Sequence, residues 1–262
     1  MVACLVGTVA VMAGTVDGQE QPGVIECFVA ARGETRELVV NPDECAVRTS
    51  PASTFKIPHA LIALETGVVT PATIFKWDGT AYDFPSWRAD HTVESAIRAS
   101  VLPFFQRTAK AIGRERMAAQ LGALAYSGDP FEGAGDFWVD GDLEVAPLEQ
   151  LAFLQRFFAG TLPIARSHVT VVKDALRMPA GQVLLAAGPQ PFVLDWPALV
   201  VRAKTGNTRV RGERVSWLVG AVDAGRTRHV FVARARSTGD LATTAGAEVA
   251  RRGLNRLRQG GP

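Results

Sequence analysis

The stretch Pro51–Leu61, PASTFKIPHAL, holds Ser53 and Lys56 three positions apart on a segment predicted to begin a helix. Residues at this spacing lie on one helix face, so the hydroxyl and the amine come within hydrogen-bonding reach. A hydroxyl with a base beside it is a candidate nucleophile. The same pair is also common on helix surfaces as two solvated side chains. The rest of the chain decides between these two interpretations.

Composition indicates a globular protein. The chain has 262 residues, of which 47% are apolar, enough for one large domain or two closely joined domains with a substantial core. The formal net charge is +2, and the arginines are spread over the second half rather than gathered in a run. We therefore predict no nucleic-acid partner.

The N-terminus indicates export. Val2–Ala13 is apolar, too short to span a bilayer, and followed by the polar Asp17–Glu20, so residues 1–18 are predicted to be a signal peptide. The mature chain is then periplasmic or secreted, with no stable membrane span. No lysine or arginine precedes Arg32, whereas a signal peptide has a positive first region. A buried N-terminal strand is the alternative.

Cysteine usage fits the same compartment. Removal of the signal peptide takes Cys4 with it and leaves Cys27 and Cys45, an even number. Cys27 lies on the predicted strand 24–31, and Cys45 follows the predicted strand 36–40. A disulfide would staple this hairpin just before the Ser53 segment, whereas two buried free thiols are the alternative.

Hydrophobic periodicity predicts an α/β (α+β) fold. Helical spacing occupies 97–113, 114–124, a segment opened by Pro147, and 173–178; strands follow at 198–204, 215–223 and 229–236, then a helix over 243–257. We predict an antiparallel sheet flanked by N- and C-terminal helices, with an inserted all-helical lobe. Residues 24–60 and 180–257 would form the sheet lobe and 61–179 the helical lobe of one catalytic domain, with the site between the lobes.

Three further elements support Ser53 as a nucleophile. Lys204-Thr205-Gly206 ends a strand and offers a cation and a hydroxyl beside a glycine that permits close approach. Ser100, in Ser100-Val101-Leu102, supplies a hydroxyl that can pass protons to a leaving nitrogen. Trp138 carries an indole N–H that needs a partner if it is buried.

These motifs together resemble the class D, or oxacillinase-type, serine β-lactamases, within the superfamily of serine β-lactamases and penicillin-binding proteins. The likeness runs from Val24 to Leu257. It is carried by the order and spacing of PASTFKIP, Ser100-Val101-Leu102, Phe137-Trp138, PLEQLAFLQRF, KTG and SWLVG. The resemblance implies a β-lactamase/transpeptidase-like fold and resistance to antibiotics through β-lactam hydrolysis, with a β-lactam as the small-molecule partner.

The resemblance also implies residue roles. Ser53 would form the acyl-enzyme, and a carbon dioxide adduct of Lys56, a carbamate, would be the general base; carbon dioxide or bicarbonate is the only cofactor expected. Apolar neighbours of Lys56, namely Phe55, Ile57 and Leu102, favour the neutral amine that such an adduct requires. Trp138 would stabilise the carbamate, and the backbone N–H groups of Ser53 and Asn207 would form the oxyanion hole.

The chain departs from the family pattern in three places. Tyr126-Ser127-Gly128 replaces Y-G-N, Leu102 replaces a valine, and the region 240–245 lacks the arginine that many members use to hold the substrate carboxylate. Arg234 and Arg236 are the nearby candidates, with hydroxyls from Thr243 and Thr244. The residues expected to bind substrate are thus Leu102, Tyr126, Lys204, Thr205, Gly206, Asn207, Arg234 and Arg236.

Other polar residues favour structural roles. The four histidines stand singly, so we predict no metal site. Arg202, Arg209, Arg211 and Arg214 are predicted to be a solvated strand edge, although Arg209 follows KTG closely enough to touch a ligand.

The alternative function is a penicillin-binding or penicillin-sensing domain that acylates without efficient turnover. A receptor would be expected to carry transmembrane helices and a cytoplasmic domain. An inactive relative is a third possibility, because of Tyr126-Ser127-Gly128.

Overall fold

The computed structural model describes residues 23–126, 136–196 and 199–259. The predicted signal peptide lies outside this range, as do Ser127 and Gly128. The strands, in chain order, are β1 (Ile25–Arg32), β2 (Thr35–Val40), β3 (Gln182–Leu185), β4 (Gly188–Pro191), β5 (Leu199–Val210), β6 (Glu213–Ala224) and β7 (Thr227–Ser237). The helices are α1 (Pro42–Cys45), α2 (Lys56–Glu65), α3 (Val93–Arg98), α4 (Leu102–Ile112), α5 (Arg114–Ala123), α6 (Phe137–Asp140), α7 (Pro147–Ala159), α8 (Arg166–Ala175) and α9 (Ala245–Arg258).

A five-stranded antiparallel sheet organises the fold, in the order β2-β1-β7-β6-β5. Helix α9 packs against β1, β6 and β7 on one face, and α7 packs against β1 and β7. The predicted fold class, an antiparallel sheet combined with a helical region, is therefore confirmed.

Successive side chains along a strand point to opposite faces of the sheet, and in this sheet both faces are buried. In β7, Val230 and Val232 belong to the core shared with the helical region, whereas Phe231 and Ala233 belong to the core under α9. A strand buried on both faces has an almost continuous apolar sequence. This is why the segments beginning at Val215 and His229 were recognisable as strands, although each extends further than predicted.

A disulfide ties the N-terminal hairpin of the sheet to α1. Cys27 on β1 and Cys45 on α1 form the predicted disulfide, with their Cα atoms 5.3 Å apart. Cys45 lies on a short helix rather than at the end of a strand, since Pro42 occupies the first helical turn. The bridge fixes the chain a few residues before the Ser53 segment.

The helix predicted over 97–113 is present only from Leu102, where α4 begins, because the chain breaks between α3 and α4. Pro103 lacks a backbone N–H and its ring would collide with the carbonyl four residues earlier, so a helix cannot run through it. Ser100 adopts a left-handed backbone conformation at the break, with φ of 56°. Ser100 therefore lies in the short connection between α3 and α4 rather than in a helix.

Two other predictions need correction at their bounds. The helix expected over 173–178 is the end of the longer α8, which stops at Ala175. The hairpin of β3 and β4 was missed altogether. Among the described residues, no helix has both the length and the apolarity needed to cross a membrane.

Gly253 of α9 lies against the sheet where a larger residue would not fit. Substituting it therefore tests how much this contact stabilises the fold. A Cβ atom on Gly253 would lie 2.4 Å from Cγ of the buried Phe28 ring. We expect Gly253→Ala to lower the free energy of unfolding by about 1–3 kcal/mol, because the ring has little room to move. The matched control is Gly122→Ala in α5, where the added methyl meets nothing within 4 Å.

The control variant should be neutral or stabilising by up to about 1 kcal/mol, as alanine favours a helix more than glycine does. Urea unfolding of both variants provides the comparison. Equal stability of Gly253→Ala and wild type would contradict the packing described for α9.

Candidate active site

Ser53 and Lys56 occupy consecutive turns of one segment. Ser53 lies in a 3-10 turn, Ala52–Phe55, and Lys56 begins α2 directly after it. The Lys56 ammonium donates a hydrogen bond of 2.7 Å to the Ser53 hydroxyl oxygen. The proximity inferred from the three-residue spacing is therefore present.

The turn before Ser53 is held in a strained shape. Ala52 has φ of 49°, a left-handed conformation that costs a residue with a side chain about 1–2 kcal/mol. The Ser50 hydroxyl accepts from the Ala52 N–H at 3.2 Å and donates to the Trp138 carbonyl at 2.7 Å. The Trp217 indole donates to the Ser50 carbonyl at 3.0 Å. Ser50, which the sequence did not single out, thus fixes the approach to Ser53.

Lys56 is a cation in apolar surroundings. Only 1% of the residue is exposed, and its nitrogen lies 5.4 Å from the centre of the Phe105 ring. Burial, and next the charge of Lys204, lower the pKa of Lys56 well below its ordinary value. The neutral amine is therefore easier to form than in an exposed lysine, although the Asp136 carboxylate acts in the opposite direction on this pKa.

Lys204 and Ser100 meet across the same site. The Lys204 ammonium donates to the Ser100 hydroxyl at 3.0 Å and to the Thr205 carbonyl at 2.9 Å. Burial lowers the pKa of Lys204 to about 7. The break before α4 places the Ser100 hydroxyl beside Lys204. The irregular backbone at Ser100 therefore helps to form the site.

Trp138 belongs to an aromatic cluster around the Lys56 helix. Its ring stacks on Phe55 at 5.7 Å and meets His59 edge to face at 5.3 Å. The residue is fully buried, and its indole nitrogen has no hydrogen-bond partner among the described residues. Burial lowers the pKa of His59 to about 3, so that imidazole is neutral. An unpartnered buried donor is costly unless something accepts its hydrogen.

Gly206 lets β5 approach the nucleophile turn. A Cβ atom there would lie 3.0 Å from the Pro51 carbonyl oxygen and 3.0 Å from the Thr54 methyl. A side chain at this position would push the strand away from Ser53. Close packing of β5 on the nucleophile turn therefore requires a glycine in the KTG motif. Thr205 donates to the Leu184 carbonyl at 2.8 Å and would have to release it to donate to a ligand.

A cleft of about 200 Å³ opens over Ser53. Its walls are mostly apolar, with a few hydroxyl and amide groups near the nucleophile. The lining residues are Ser53, Phe84, Trp87, Ser100, Leu102, Val139, Leu185, Ala186, Ala187, Thr205, Asn207 and Thr243. The size and the few convergent polar groups suit a small molecule.

Two wall segments were missed by sequence reasoning. Phe84 stands directly before a short 3-10 turn, Pro85–Trp87, and this segment has no helix or strand pattern in the sequence. The turn between β3 and β4 carries Leu185 and two alanines. A weak signal existed for it, since a short apolar run lies between Gly181 and Pro191.

Tyr126 does not line the cleft, contrary to the expectation that it binds substrate. Its ring packs against Phe55 at 5.7 Å and Phe153 at 5.0 Å, with 1% of the residue exposed. Burial raises the pKa of the phenol. Tyr126 therefore supports the nucleophile segment from below.

Arg234 and Arg236 are also placed away from the cleft. Arg234 is fully buried, pairs with Glu44, donates to the Val47 carbonyl and stacks its guanidinium on Trp217. Arg236 pairs with Glu44 as well and with Glu213 at 2.8 Å. Their guanidinium groups are committed to these carboxylates, which corrects the expectation that either holds a substrate carboxylate.

The described residues contain no group of three or more side chains suited to hold a metal ion. The four histidines have separate partners: Thr108 for His59, Ser95 for His91, Glu65 for His168 and Glu37 for His229.

The arrangement is suited to acyl transfer. A hydroxyl is hydrogen-bonded to an amine that readily loses its proton, and a second hydroxyl is bonded to a second lysine. Both pairs lie beside one mostly apolar cleft, which Ser53 and Ser100 help to line.

Comparisons with known proteins agree with this geometry. Residues 19–256 match the family model for the penicillin binding protein transpeptidase domain. Beta-lactamase OXA-48 from Klebsiella pneumoniae is 36% identical over 176 residues, covering 66% of this chain and 60% of OXA-48. Regulatory protein BlaR1 from Bacillus licheniformis is 29% identical over 214 residues, covering 81% of this chain and 33% of BlaR1.

The class D β-lactamase YbXI from Nostoc superposes with a TM-score of 0.77 at 28% identity, covering 90% of this chain and 94% of YbXI. The chain spans about a third of BlaR1 and about three fifths of OXA-48. The match over residues 19–256 shows that this chain belongs to the penicillin binding protein transpeptidase domain family. Beta-lactamase OXA-5 from Pseudomonas aeruginosa, 34% identical over 213 residues, covering 78% of this chain and 73% of OXA-5, shows that the chain belongs to the class D β-lactamases within it.

Proposed function

We propose that this chain hydrolyses β-lactams through an acyl-enzyme on Ser53. The observation that carries the proposal is the fully buried Lys56 amine, 2.7 Å from the Ser53 hydroxyl. No ion-pair partner for Lys56 is present among the described residues. A buried amine without a counter-ion gains by losing its proton, and it is then a base for the hydroxyl.

The reaction follows from these contacts. The base takes the Ser53 proton, the serine oxygen bonds to the β-lactam carbonyl carbon, and the carbon–nitrogen bond breaks. The leaving nitrogen receives its proton through the Ser100 hydroxyl. The N–H groups of Ser53 and Asn207 stabilise the oxyanion, and water then cleaves the ester and regenerates Ser53.

The surroundings of Lys56 also fit a carbamate. Apolar walls keep the amine neutral, and the unpartnered Trp138 indole can donate to a new carboxylate oxygen. When bound, carbon dioxide supplies a carboxylate base in place of the plain amine. The residues that would hold it are Lys56 and Trp138.

Binding of the substrate carboxylate falls to Lys204, assisted by the hydroxyls of Thr205 and Thr243. This replaces Arg234 and Arg236, which are engaged elsewhere. The mature protein would act outside the cytoplasm, where the Cys27–Cys45 bridge persists.

The second candidate is a penicillin-sensing domain, supported by the similarity to a regulatory protein, BlaR1. It uses the same acylation but leaves the ester intact. The two functions differ only in how fast water reaches the acyl carbonyl.

Acylation of Ser53 is tested by intact-mass spectrometry after incubation with benzylpenicillin. We expect a penicilloyl adduct on the wild type and none on Ser53→Ala. The matched control is Ser86→Ala, which removes a hydroxyl that bonds the Ala186 carbonyl at the cleft. An adduct on Ser53→Ala would refute the nucleophile. An adduct on the wild type that lasts for hours would favour the sensor over the hydrolase.

The dependence on bicarbonate tests the form of the base. A carbamate forms only on a neutral amine, and the lowered pKa of Lys56 means that its neutral fraction increases with pH. At fixed dissolved carbon dioxide, we expect hydrolysis to increase from pH 6 to pH 8. Trp138→Phe keeps the ring but removes the donor, so it should require more bicarbonate for half-maximal activity.

Leu102→Val is the companion variant. Removing one methylene from the cleft wall should let water reach the acyl carbonyl of bulky substrates, which increases their turnover, while the wetter wall increases dependence on bicarbonate. Steady-state rates across a bicarbonate series measure both effects. Activity that is indifferent to bicarbonate in all three proteins would mean that Lys56 acts as a plain amine.

A further inference from the structure

Arg209 lies where β5 leaves the cleft. Side chains two residues apart on a strand point the same way, so Arg209 shares a face with Asn207, about 7 Å further along. Asn207 lines the cleft. Arg209 is exposed, and it has no hydrogen bond or ion pair among the described residues. An arginine side chain at this position can reach the cleft mouth.

A second arginine stands directly opposite. Arg209 on β5 is in register with Arg214 on β6, and like charges at facing positions of a sheet repel. Among the described residues Arg214 pairs with one carboxylate, Asp240, at 3.5 Å, and Asp240 is fully exposed. Arg209 has no such partner there, so an anion between the two guanidinium groups would reduce their repulsion.

No other cation competes for this position. All 28 lysines and arginines of the chain fall within the described residues, and none is among the residues that line the cleft. Arg211, the other nearby arginine, pairs with Glu144 at 2.8 Å and donates to the Gly141 carbonyl. It lies in the turn after β5, with a left-handed backbone (φ of 49°), and not on the strand itself.

The site orients a substrate along β5. With the reacting carbonyl at Ser53 and Asn207, the ring carboxylate faces the buried Lys204, on the earlier part of the strand. The acyl side chain then extends the other way, past Asn207. On that side the cleft wall is Val139, whose carbonyl accepts from the Thr208 hydroxyl at 3.2 Å, and Arg209 follows on the strand.

We propose that Arg209 and Arg214 form a cationic subsite that favours β-lactams whose acyl side chain itself carries a carboxylate. The inference rests on the proposed hydrolysis and adds a substrate class to it. The contact is an ion pair at the surface, so it contributes selectivity rather than catalysis, and added salt weakens it.

The test compares benzylpenicillin with its α-carboxy analogue, carboxybenzylpenicillin, on the full chain. The quantity measured is the ratio of kcat/KM for the carboxylated substrate to that for the benzyl substrate. We expect Arg209→Gln to lower this ratio about threefold to tenfold, mainly through KM, in the range of a partly exposed ion pair. The matched control Arg211→Gln removes the same charge from the neighbouring turn, where it is already paired with Glu144, and should leave the ratio unchanged.

The Asp240→Asn variant should change the kcat/KM ratio in the opposite direction to Arg209→Gln. It releases Arg214 from its carboxylate and should increase the ratio, and 0.5 M salt should bring the ratios of all variants together. An equal ratio in wild type and Arg209→Gln, or an equal loss in Arg211→Gln, would overturn the subsite while hydrolysis of benzylpenicillin stands. If the wild type hydrolyses neither penicillin, the proposed function fails and the subsite with it.

Discussion

Two buried lysines that act on each other, neither with an ion-pair partner among the described residues, constrain the structure more than any other interaction. Lys56 and Lys204 are each at least 98% buried, and the charge of Lys204 is one cause of the lowered pKa of Lys56. Burying an unpaired ammonium costs several kcal/mol, so the folded protein offsets part of this cost by releasing protons. Because burial disfavours the charged ammonium, the neutral amine of Lys56 can act as a base for Ser53.

The surrounding fold keeps both lysines where their burial is useful. Gly206 lets β5 approach the Ser53 turn, and Ser50 holds that turn through bonds to Trp138 and Ala52. The interruption at Ser100 places a hydroxyl on Lys204. Each of these is a local departure from regular structure. Together they suggest that stability has been exchanged for reactivity in this region.

Sequence reasoning predicted the parts that depend on local chemistry. The three-residue spacing from Ser53 to Lys56 fixed their proximity, and the continuous apolar runs after Val215 indicated strands buried on both faces. It failed where distant residues compete for the same group. The pairing of Arg234 and Arg236 with Glu44 depends on how α1 docks beneath the sheet, which no spacing reveals.

The residues that line the cleft also could not be predicted from sequence spacing alone. Phe84 and the β3–β4 turn reach the cleft through tertiary packing and carry no motif of their own. Tyr126 stands in a recognisable motif, yet its ring turns into the core against Phe153. The facing positions of Arg209 and Arg214 become visible only through the strand register. A motif thus predicted which chemistry is present, whereas the three-dimensional structure showed which side chains are free to take part.

The central claim is that Lys56 is neutral enough in the folded protein to bind carbon dioxide. Carbon-13 NMR in labelled bicarbonate tests this directly, with Ser53→Ala as the sample so that no turnover occurs. The account predicts a carbamate resonance at pH 8 that weakens toward pH 6 and is lost in a Ser53→Ala, Lys56→Ala double variant. Absence of that resonance at pH 8 in saturating labelled bicarbonate, or its persistence in the double variant, would contradict the account.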